Sequence, residues 1–364
     1  MKNNVIIDIH VIQTVPPSCV NRDDTGSPKT ARYGGKIRAR VSSQSWKKAV
    51  RDYFVSEGLD NEWCGIRTDK IPELLAKSIV KHDNTKTLEE ALKISQNIFE
   101  SIEKKLLKDD KKEQIAKMSA ITFISEAQID AMAKVFTNNP KASKDDYIIA
   151  WKAKPSIDMA LFGRMLASVP TLNIDACCQV AHAISTHEIQ TEYDFYTATD
   201  DCSKEGEQGA INLGTAEYYS CTLYRFASIN AGLLKNTIND TENKITPEAI
   251  KEFVKSFIIS MPSAKQNSFG NKTLPEMIYV SVRNDQALNL VNAFEKPVNS
   301  SNGYSEASVK CFIETAKGVY EMYGAKPQKE FFVCLYNCES IGEKKSFCEM
   351  LDSLNKELVD LLKE

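Results

Sequence analysis

The chain has 364 residues, of which 42% are hydrophobic and 26% charged, and its 46 Lys+Arg against 49 Asp+Glu leave a formal net charge of −3. That mixture excludes a disordered chain, and the absence of any apolar run long enough for a bilayer excludes a membrane-spanning one. Ten cysteines scattered without a paired framework point to free thiols in a reducing compartment, hence to a cytoplasmic protein of two domains or of one domain with a large insertion.

Val5 to Ile12 reads as a buried strand, followed by a turn at Pro16-Pro17 and the polar segment Asn21-Arg22-Asp23-Asp24, whose carboxylates suit a cap or turn better than a metal. Between Arg22 and Arg51 stand nine basic residues and two acidic ones, a local net of +7, so the other 334 residues carry −10. Phosphate contacts depend on the local field rather than on the sum. Lys36-Ile37-Arg38-Ala39-Arg40-Val41 alternates strictly. On a strand its three cations share one face, roughly 6.6 Å apart, while Ile37, Ala39 and Val41 face a core. Gly34-Gly35 supplies the freedom for a tight turn before it.

Ser42-Ser43-Gln44-Ser45 then predicts a helix start, with Trp46, Ala49, Val50, Tyr53 and Phe54 as the buried stripe and Lys47, Lys48 and Arg51 off it. Free backbone N–H groups, capping hydroxyls and cations one turn in make a phosphate site. From Ser56 to about Trp151 the pattern is helical, with Leu88, Ala91, Leu92, Ser95, Ile98, Phe99, Ile102 and Leu106 at 3.6 spacing, and reads as an insertion with a solvated outer face.

His182 and His187 are five apart, off the spacing that puts two ligands on one helix face, and Cys334 and Cys338 lack a second half. Neither pair predicts a metal; Cys334 and Cys338 read as buried thiols, and no cofactor is expected. Gln190 to Gly214 is a polar loop or projecting hairpin with six acidic residues against one lysine, yet it carries Tyr193, Phe195 and Tyr196, which either pack back on the domain or stack against bases or a neighbouring subunit. Cys221 to Ile229 and Met277 to Arg283 read as strands, with a helix opening at Thr246-Pro247 between them. Together with the first strand and the Trp46 helix they predict an α+β, split βαβ, ferredoxin-like sheet with one helical layer. Ser263 to Asn267 is a polar turn with one cation beside the sheet, and Ser305–Tyr323 and Ser346–Leu362 are amphipathic helices.

Several of these segments together resemble a known family: Pro17 to Asp24, Gly34-Gly35-Lys36, Val41 to Ser45, Ala181 to His187, Asn212-Leu213-Gly214-Thr215, Ala264-Lys265-Gln266 and Asn292 to Lys296. They are similar, in the same order, to the CasC family, the repeated backbone subunit of the type I-E CRISPR surveillance complex, Cascade. The likeness runs to about Glu295; the helical insertion and the tail after Val298 match poorly. The resemblance implies an RRM-like (ferredoxin-like) palm over 1–55 and 156–300, a helical fingers insertion over 56–155, a projecting thumb hairpin over 190–214, and a helical carboxyl segment, 301–364, packed on the palm. It implies that Arg22, Lys29, Lys36, Ser42, Gln44, Lys47, Lys48 and Arg51 hold the guide RNA backbone, beside Arg38, Arg40, Ser43, Lys265 and Gln266 from the basic segment and the polar turn. It further implies that Met165, Phe195, Tyr196 and Thr197 wedge where the thumb of one copy lies over the guide on its neighbour. The partners implied are CRISPR guide RNA, a target DNA strand paired to it, further copies head to tail and other Cascade subunits, with no membrane. The usual RRM stacking signature is absent.

The expected function is therefore a non-catalytic RNA-binding scaffold that presents a guide for base pairing. The alternative is a metal-dependent endoribonuclease acting through Asp23 or Asp24, and a third is a phosphorylated-metabolite binder using the Ser42 helix terminus.

Overall fold

The first apolar stretch becomes the middle of a ten-stranded sheet in the computed structural model, which describes residues 4–59, 62–108, 116–198 and 211–363. In chain order the amino-terminal elements are β1 (Ile6–Ser18), β2 (Thr30–Tyr33), β3 (Lys36–Val41) and α1 (Ser43–Ser56). Then come β4 (Ile66–Thr68), α2 (Ile71–His82), α3 (Leu88–Ile102), β5 (Leu107–Lys108), β6 (Lys117–Met118), β7 (Thr122–Ile124), α4 (Glu126–Asn138) and α5 (Lys144–Lys152). The chain returns through α6 (Ile157–Phe162), β8 (Cys178–Val180), β9 (Ala183–Ser185), β10 (Glu192–Ala198) and β11 (Ile211–Asn230). It continues through α7 (Ala231–Ile238), α8 (Ile245–Ile259), α9 (Gln266–Phe269) and β12 (Met277–Arg283). It closes with α10 (Ser305–Tyr323), β13 (Lys329–Cys334), β14 (Glu343–Lys344) and α11 (Phe347–Leu361). The strand order is β14-β13-β12-β1-β11-β9-β3-β2, with β8 and β10 also paired to β11. Among the described residues no helix is long and apolar enough to cross a membrane.

β1 is flanked antiparallel by β11 and β12, so both of its edges are paired, and because helices pack on both faces of the sheet it needs apolar residues on each face. Ile7, Ile9, Val11 and Val15 enter a core shared with Trp46, Val50 and Phe54 of α1, Phe253 and Phe257 of α8, and Leu354 and Leu358 of α11. Ile12 enters a second core with Tyr224, Tyr279 and the α10 residues Val309, Phe312 and Ala316. Each such fully buried side chain contributes about 1.5–3 kcal/mol. The sheet thus has helices on both faces, where the sequence predicts one layer, because the carboxyl segment splits: α10 covers one face and α11 the other. That segment also adds β13 and β14 to the sheet, strands absent from the sequence expectation; β13 is too short and mixed for a period-2 signal.

Two further expectations change. Pro16-Pro17 does not turn the chain; β1 runs through it with a register shift between Val15 and Ser18, as two residues without N–H groups require. The strand foreseen at Cys221 to Ile229 is the inner end of β11, a 20-residue strand whose outer end pairs with β10 from Tyr218 opposite Glu192 outward. The projecting hairpin is therefore a continuous extension of the sheet. Its residues 199–210, with most of its acidic side chains, lie outside the described residues.

Helices α2 to α5 form a separate core of Ile71, Leu75, Ile98, Phe99, Met132 and Trp151 that also takes in Leu166 and Leu172. Trp151 meets Phe99 edge-on, with ring centroids 5.3 Å apart. Thr87, Ser125 and Ser143 each close a capping box at a helix start. This unit is tied to α1 through Asp158, which accepts from Arg51 Nε at 2.8 Å, from the Gly65 amide at 2.9 Å and from the Ser156 hydroxyl at 2.6 Å.

Candidate nucleic-acid interface

The basic segment folds into the β2–β3 hairpin, the loop before it and the start of α1. Residues 21–29 loop back, the Lys29 amide donating to Asn21 O at 2.8 Å. Asp23 Oδ1 accepts from the Thr25 and Ser27 amides, both at 3.0 Å, and from the Thr25 hydroxyl at 2.7 Å. The Thr25 hydroxyl bond holds the Asp23 carboxyl below its ordinary pKa. This is an Asx turn, and it gives Asp23 a structural job that sets the exposed Arg22 on the rim.

On β3 the expected row of three cations is broken. Lys36 is exposed and pairs with Glu188 at 3.0 Å, and Arg40 is half-buried, but Arg38 is fully buried. Its guanidinium donates to Ser185 O at 2.9 Å, Phe294 O at 3.0 Å and Glu295 O at 3.2 Å. Arg38 therefore cannot meet a polyanion as the alternation predicts, because residues 291–296 cross over that face of the hairpin, and Ile37, expected in the core, is 44% exposed. Tyr33 donates to Val291 O at 3.3 Å, so the Gly34-Gly35 and Asn292–Lys296 segments touch. Arg40 Nε donates to Thr30 O at 3.0 Å, and Arg40 lies 3.3 Å from His182 Nδ1. Burial, then the charges of Arg40 and Lys29, lower the His182 pKa. Lys29, Arg40 and His182 thus form one basic cluster at the foot of β11, where Tyr219 donates to Lys29 O at 3.0 Å.

Helix α1 starts as the sequence predicts: the buried Ser42 caps it, its hydroxyl accepting from the Ser45 amide at 3.4 Å, while Ser43 and exposed Gln44 carry first-turn amides. Its three cations part company. Lys48 lies on the same flank as Ser45, Ala49, Asp52 and Tyr53, and pairs with Asp52 at 2.6 Å. Lys47 sits over the Phe162 ring at 5.8 Å. Arg51 stacks on Phe123 at 4.7 Å and is bound to Asp158, which makes it a joint to the helical insertion more than a free phosphate contact.

An open groove of about 1060 Å³ joins the 20–26 loop, the Ser45-Lys48-Asp52 flank of α1 and the 260–266 turn. Arg22, Lys48, Gln266 and Lys272 line it. Lys265 stands at its end with φ +51°, near enough with Arg22 to act electrostatically on Cys19, whose thiol pKa burial raises. The structure thus gathers Arg22, Lys48 and Gln266 along one groove and Lys29, Lys36 and Arg40 along the adjoining hairpin. Sequence reasoning misses Lys272, a lone cation in a polar loop that carries no periodic signal, and weighs His182 only as a metal ligand. Its companion His187 is structural, stacked on Tyr304 at 3.7 Å and accepting from the Thr222 amide at 3.1 Å.

The projecting hairpin leaves Tyr193 65%, Phe195 65% and Tyr196 54% exposed, and Met165 is 84% exposed. Thr197 is exposed beside them. Packing of these aromatics back on the domain, one of the two readings of the sequence, is not seen among the described residues, where all three rings stay more than half exposed. Tyr196 lies across Gly214 on the partner strand, where a Cβ would strike its ring, which explains a glycine in that position. Among the described residues no group of three His, Cys, Asp or Glu side chains stands close enough to hold a metal ion.

Comparison with known proteins follows the same outline. The sequence model of the family described as CT1975-like protein matches residues 7–358. A chain of a solved "CRISPR RNA-guided surveillance complex, pre-nicking" is similar with a TM-score of 0.86 and 29% identity, over 97% of this chain and 100% of that one. A chain of a second solved "CRISPR RNA-guided surveillance complex" is similar with a TM-score of 0.64 and 26% identity, over 97% of this chain and 99% of that one. No curated protein matches.

Proposed function

Because the chain belongs to the CT1975-like protein family, we propose that it is a subunit of a CRISPR RNA-guided surveillance complex, the non-catalytic backbone subunit of a type I-E Cascade in the cytoplasm. In this reading an RRM-like palm holds the guide RNA backbone and leaves its bases for pairing with target DNA, and copies polymerise head to tail. The observation that carries it is the convergence of Arg22, Lys29, Arg40, the Ser42–Gln44 helix start and Gln266 around one open groove and hairpin. A groove of this kind binds phosphate without reading sequence, which suits a protein whose specificity comes from base pairing. The sheet face that a free-standing RRM would offer to bases is covered by α10, in keeping with backbone holding in place of base stacking. The exposed Phe195, Tyr196 and Met165 then stack against a neighbouring copy and its guide.

The test is co-expression with a repeat-spacer RNA, followed by sequencing of co-purified RNA and measurement of binding against RNA length and salt. The reading requires guide RNA in the purified complex, affinity that grows with length, and a steep salt dependence that Lys29→Ala with Arg40→Ala reduces. Binding of mononucleotides as tight as of RNA would overturn it in favour of a metabolite site. Mg²⁺-dependent cleavage of RNA paired to the guide, lost in Asp24→Ala, would overturn its non-catalytic part.

A further inference from the structure

Cys334, the last residue of β13, and Cys338, in the following loop, bring their sulfurs to 3.6 Å, within hydrogen-bond reach of each other. Both are half-buried, against the expectation of fully buried thiols. The loop that carries them is pinned on both sides. The Leu335 amide donates to Glu276 O at 2.8 Å, Glu339 pairs with Lys317 of α10, and the Lys345 amide donates to Phe332 O at 3.0 Å. The pair also sits among cations: Lys310 of α10 is within electrostatic reach of Cys338, and Lys344 of Cys334. Partial exposure lets a small oxidant reach the two sulfurs. Adjacent cysteines elsewhere do not make such a pair. Cys177 and Cys178 are buried and their sulfurs point to different partners, the Thr237 hydroxyl and Gln179 O, each at 3.6 Å.

We propose that Cys334 and Cys338 form a redox-modification site, a dithiol that a hydroperoxide closes to an intrachain disulfide and a thiol reductant reopens. Cys338 is the attacking sulfur. Its thiolate bonds to a peroxide oxygen, the O–O bond breaks, and the departing hydroxide takes a proton to become water, leaving a sulfenic acid. The Cys334 sulfur then attacks that sulfenic sulfur, the S–O bond breaks, and the Cys334 proton leaves with the hydroxide as a second water. Two thiols thereby lose two electrons and the peroxide gains them. Burial raises the Cys334 pKa to about 11, so this sulfur carries the proton the second step needs and resolves instead of initiating. A resolving thiol beside the first shields Cys338 from irreversible oxidation, a protection that the exposed Cys348, without such a neighbour among the described residues, does not have.

The test treats the reduced full-length protein with hydrogen peroxide, blocks remaining thiols with N-ethylmaleimide and digests without reduction. Trypsin releases Glu330–Lys344 with both cysteines and no others. The expected result is that peptide unlabelled and lighter by about 2 Da, the loss of two hydrogens on closing a disulfide, with both thiols recovered after dithiothreitol. Cys334→Ser should leave a dimedone-reactive sulfenic acid at Cys338, and Cys338→Ser should slow oxidation of Cys334. Maleimide on both sulfurs while Cys348 is oxidised, or independent sulfinic acids at the two positions, would overturn the proposal. If either variant fails to fold, the wild-type peptide mass alone decides.

Discussion

Gly34 lies against the carbonyl of Glu295 so closely that a Cβ at residue 34 would collide with the carbonyl oxygen, and its φ of +58° is itself a conformation that L side chains avoid. The tip of the β2–β3 hairpin is thus seated on the 292–296 segment, which follows β12 in the chain. Gly34→Ala is expected to destabilise by about 1–3 kcal/mol and to free the hairpin from the 292–296 segment. Faster amide exchange over residues 30–40, with weaker RNA binding and an intact sheet, checks it; unchanged exchange there would refute the contact.

Arg38 is a positioning residue for the same hairpin. Its guanidinium ties β3 to Ser185 and to Phe294 through carbonyl oxygens alone. Arg38→Lys keeps the charge but loses the fork, and should cost about 1–3 kcal/mol in thermal or denaturant unfolding. The salt slope of RNA binding should remain, since Arg38 itself meets no phosphate. A reduced slope would show that Arg38 is a contact after all.

The α1 and hairpin cations should separate into two behaviours. Arg51→Ala leaves the fully buried Asp158 without its cation and should lower stability by about 3–5 kcal/mol. Lys29→Ala should leave stability nearly unchanged and lower the slope of log affinity against log salt by about 0.7, the value for one fewer phosphate neutralised on a single strand. Lys48→Ala should move little in the free protein, because its partner Asp52 is also exposed. Equal effects of Arg51 and Lys29 variants on the salt slope would contradict this division.

Phe195→Ala and Tyr196→Ala remove rings that touch solvent over more than half their surface, so unfolding free energy should stay within about 0.5 kcal/mol of the parent. Assembly on a long guide should nevertheless fail at the step where one copy meets the next. Analytical ultracentrifugation of RNA complexes distinguishes the two; normal assembly by the double variant would remove the hairpin from the interface.

Acid stability has two opposed contributors on one face of β1. Burial lifts the Asp8 pKa from an ordinary 3.8 to about 6, so the folded chain holds its proton more tightly and stability from this group falls as pH rises from about 4 through 6. Burial lowers the His10 pKa from 6.5 to about 3, so the unfolded chain binds the extra proton and stability from this group falls as pH drops from about 6.5 to 3. Between pH 4 and 6 the two slopes cancel. Asp8→Asn should expose the histidine slope, about 1.4 kcal/mol per pH unit, in denaturant unfolding at pH 4 to 6. A variant with the parent's pH profile would show that Asp8 is not the compensating group.

The family is legible in the chain's own residues: the ordered motifs from Pro17 to Lys296 carry the CasC resemblance, and the match over residues 7–358 and the likeness to surveillance-complex chains bear it out. So are β12, whose bounds coincide with the strand expected there, and α1 with its Ser42 cap, because both rest on local signals of period and capping. The second helical layer and strands β13 and β14 are not, since they depend on where the carboxyl segment docks.

What the sequence determined by itself is the polarity of the molecule, +7 gathered in thirty residues on a strand, a turn and a helix start. Which of those cations face outward only the tertiary structure decided. A period of two says which side chains share a face of β3; it does not say what lies over that face. Residues 294 and 295 do, 256 and 257 positions after Arg38, and they turn the middle cation of the row inward. In the same way Asp158, 107 positions from Arg51, makes that arginine a joint. Such long-range contacts form only after the chain has packed, so no local pattern can encode them, and a basic surface has to be read after packing from the cations it leaves exposed.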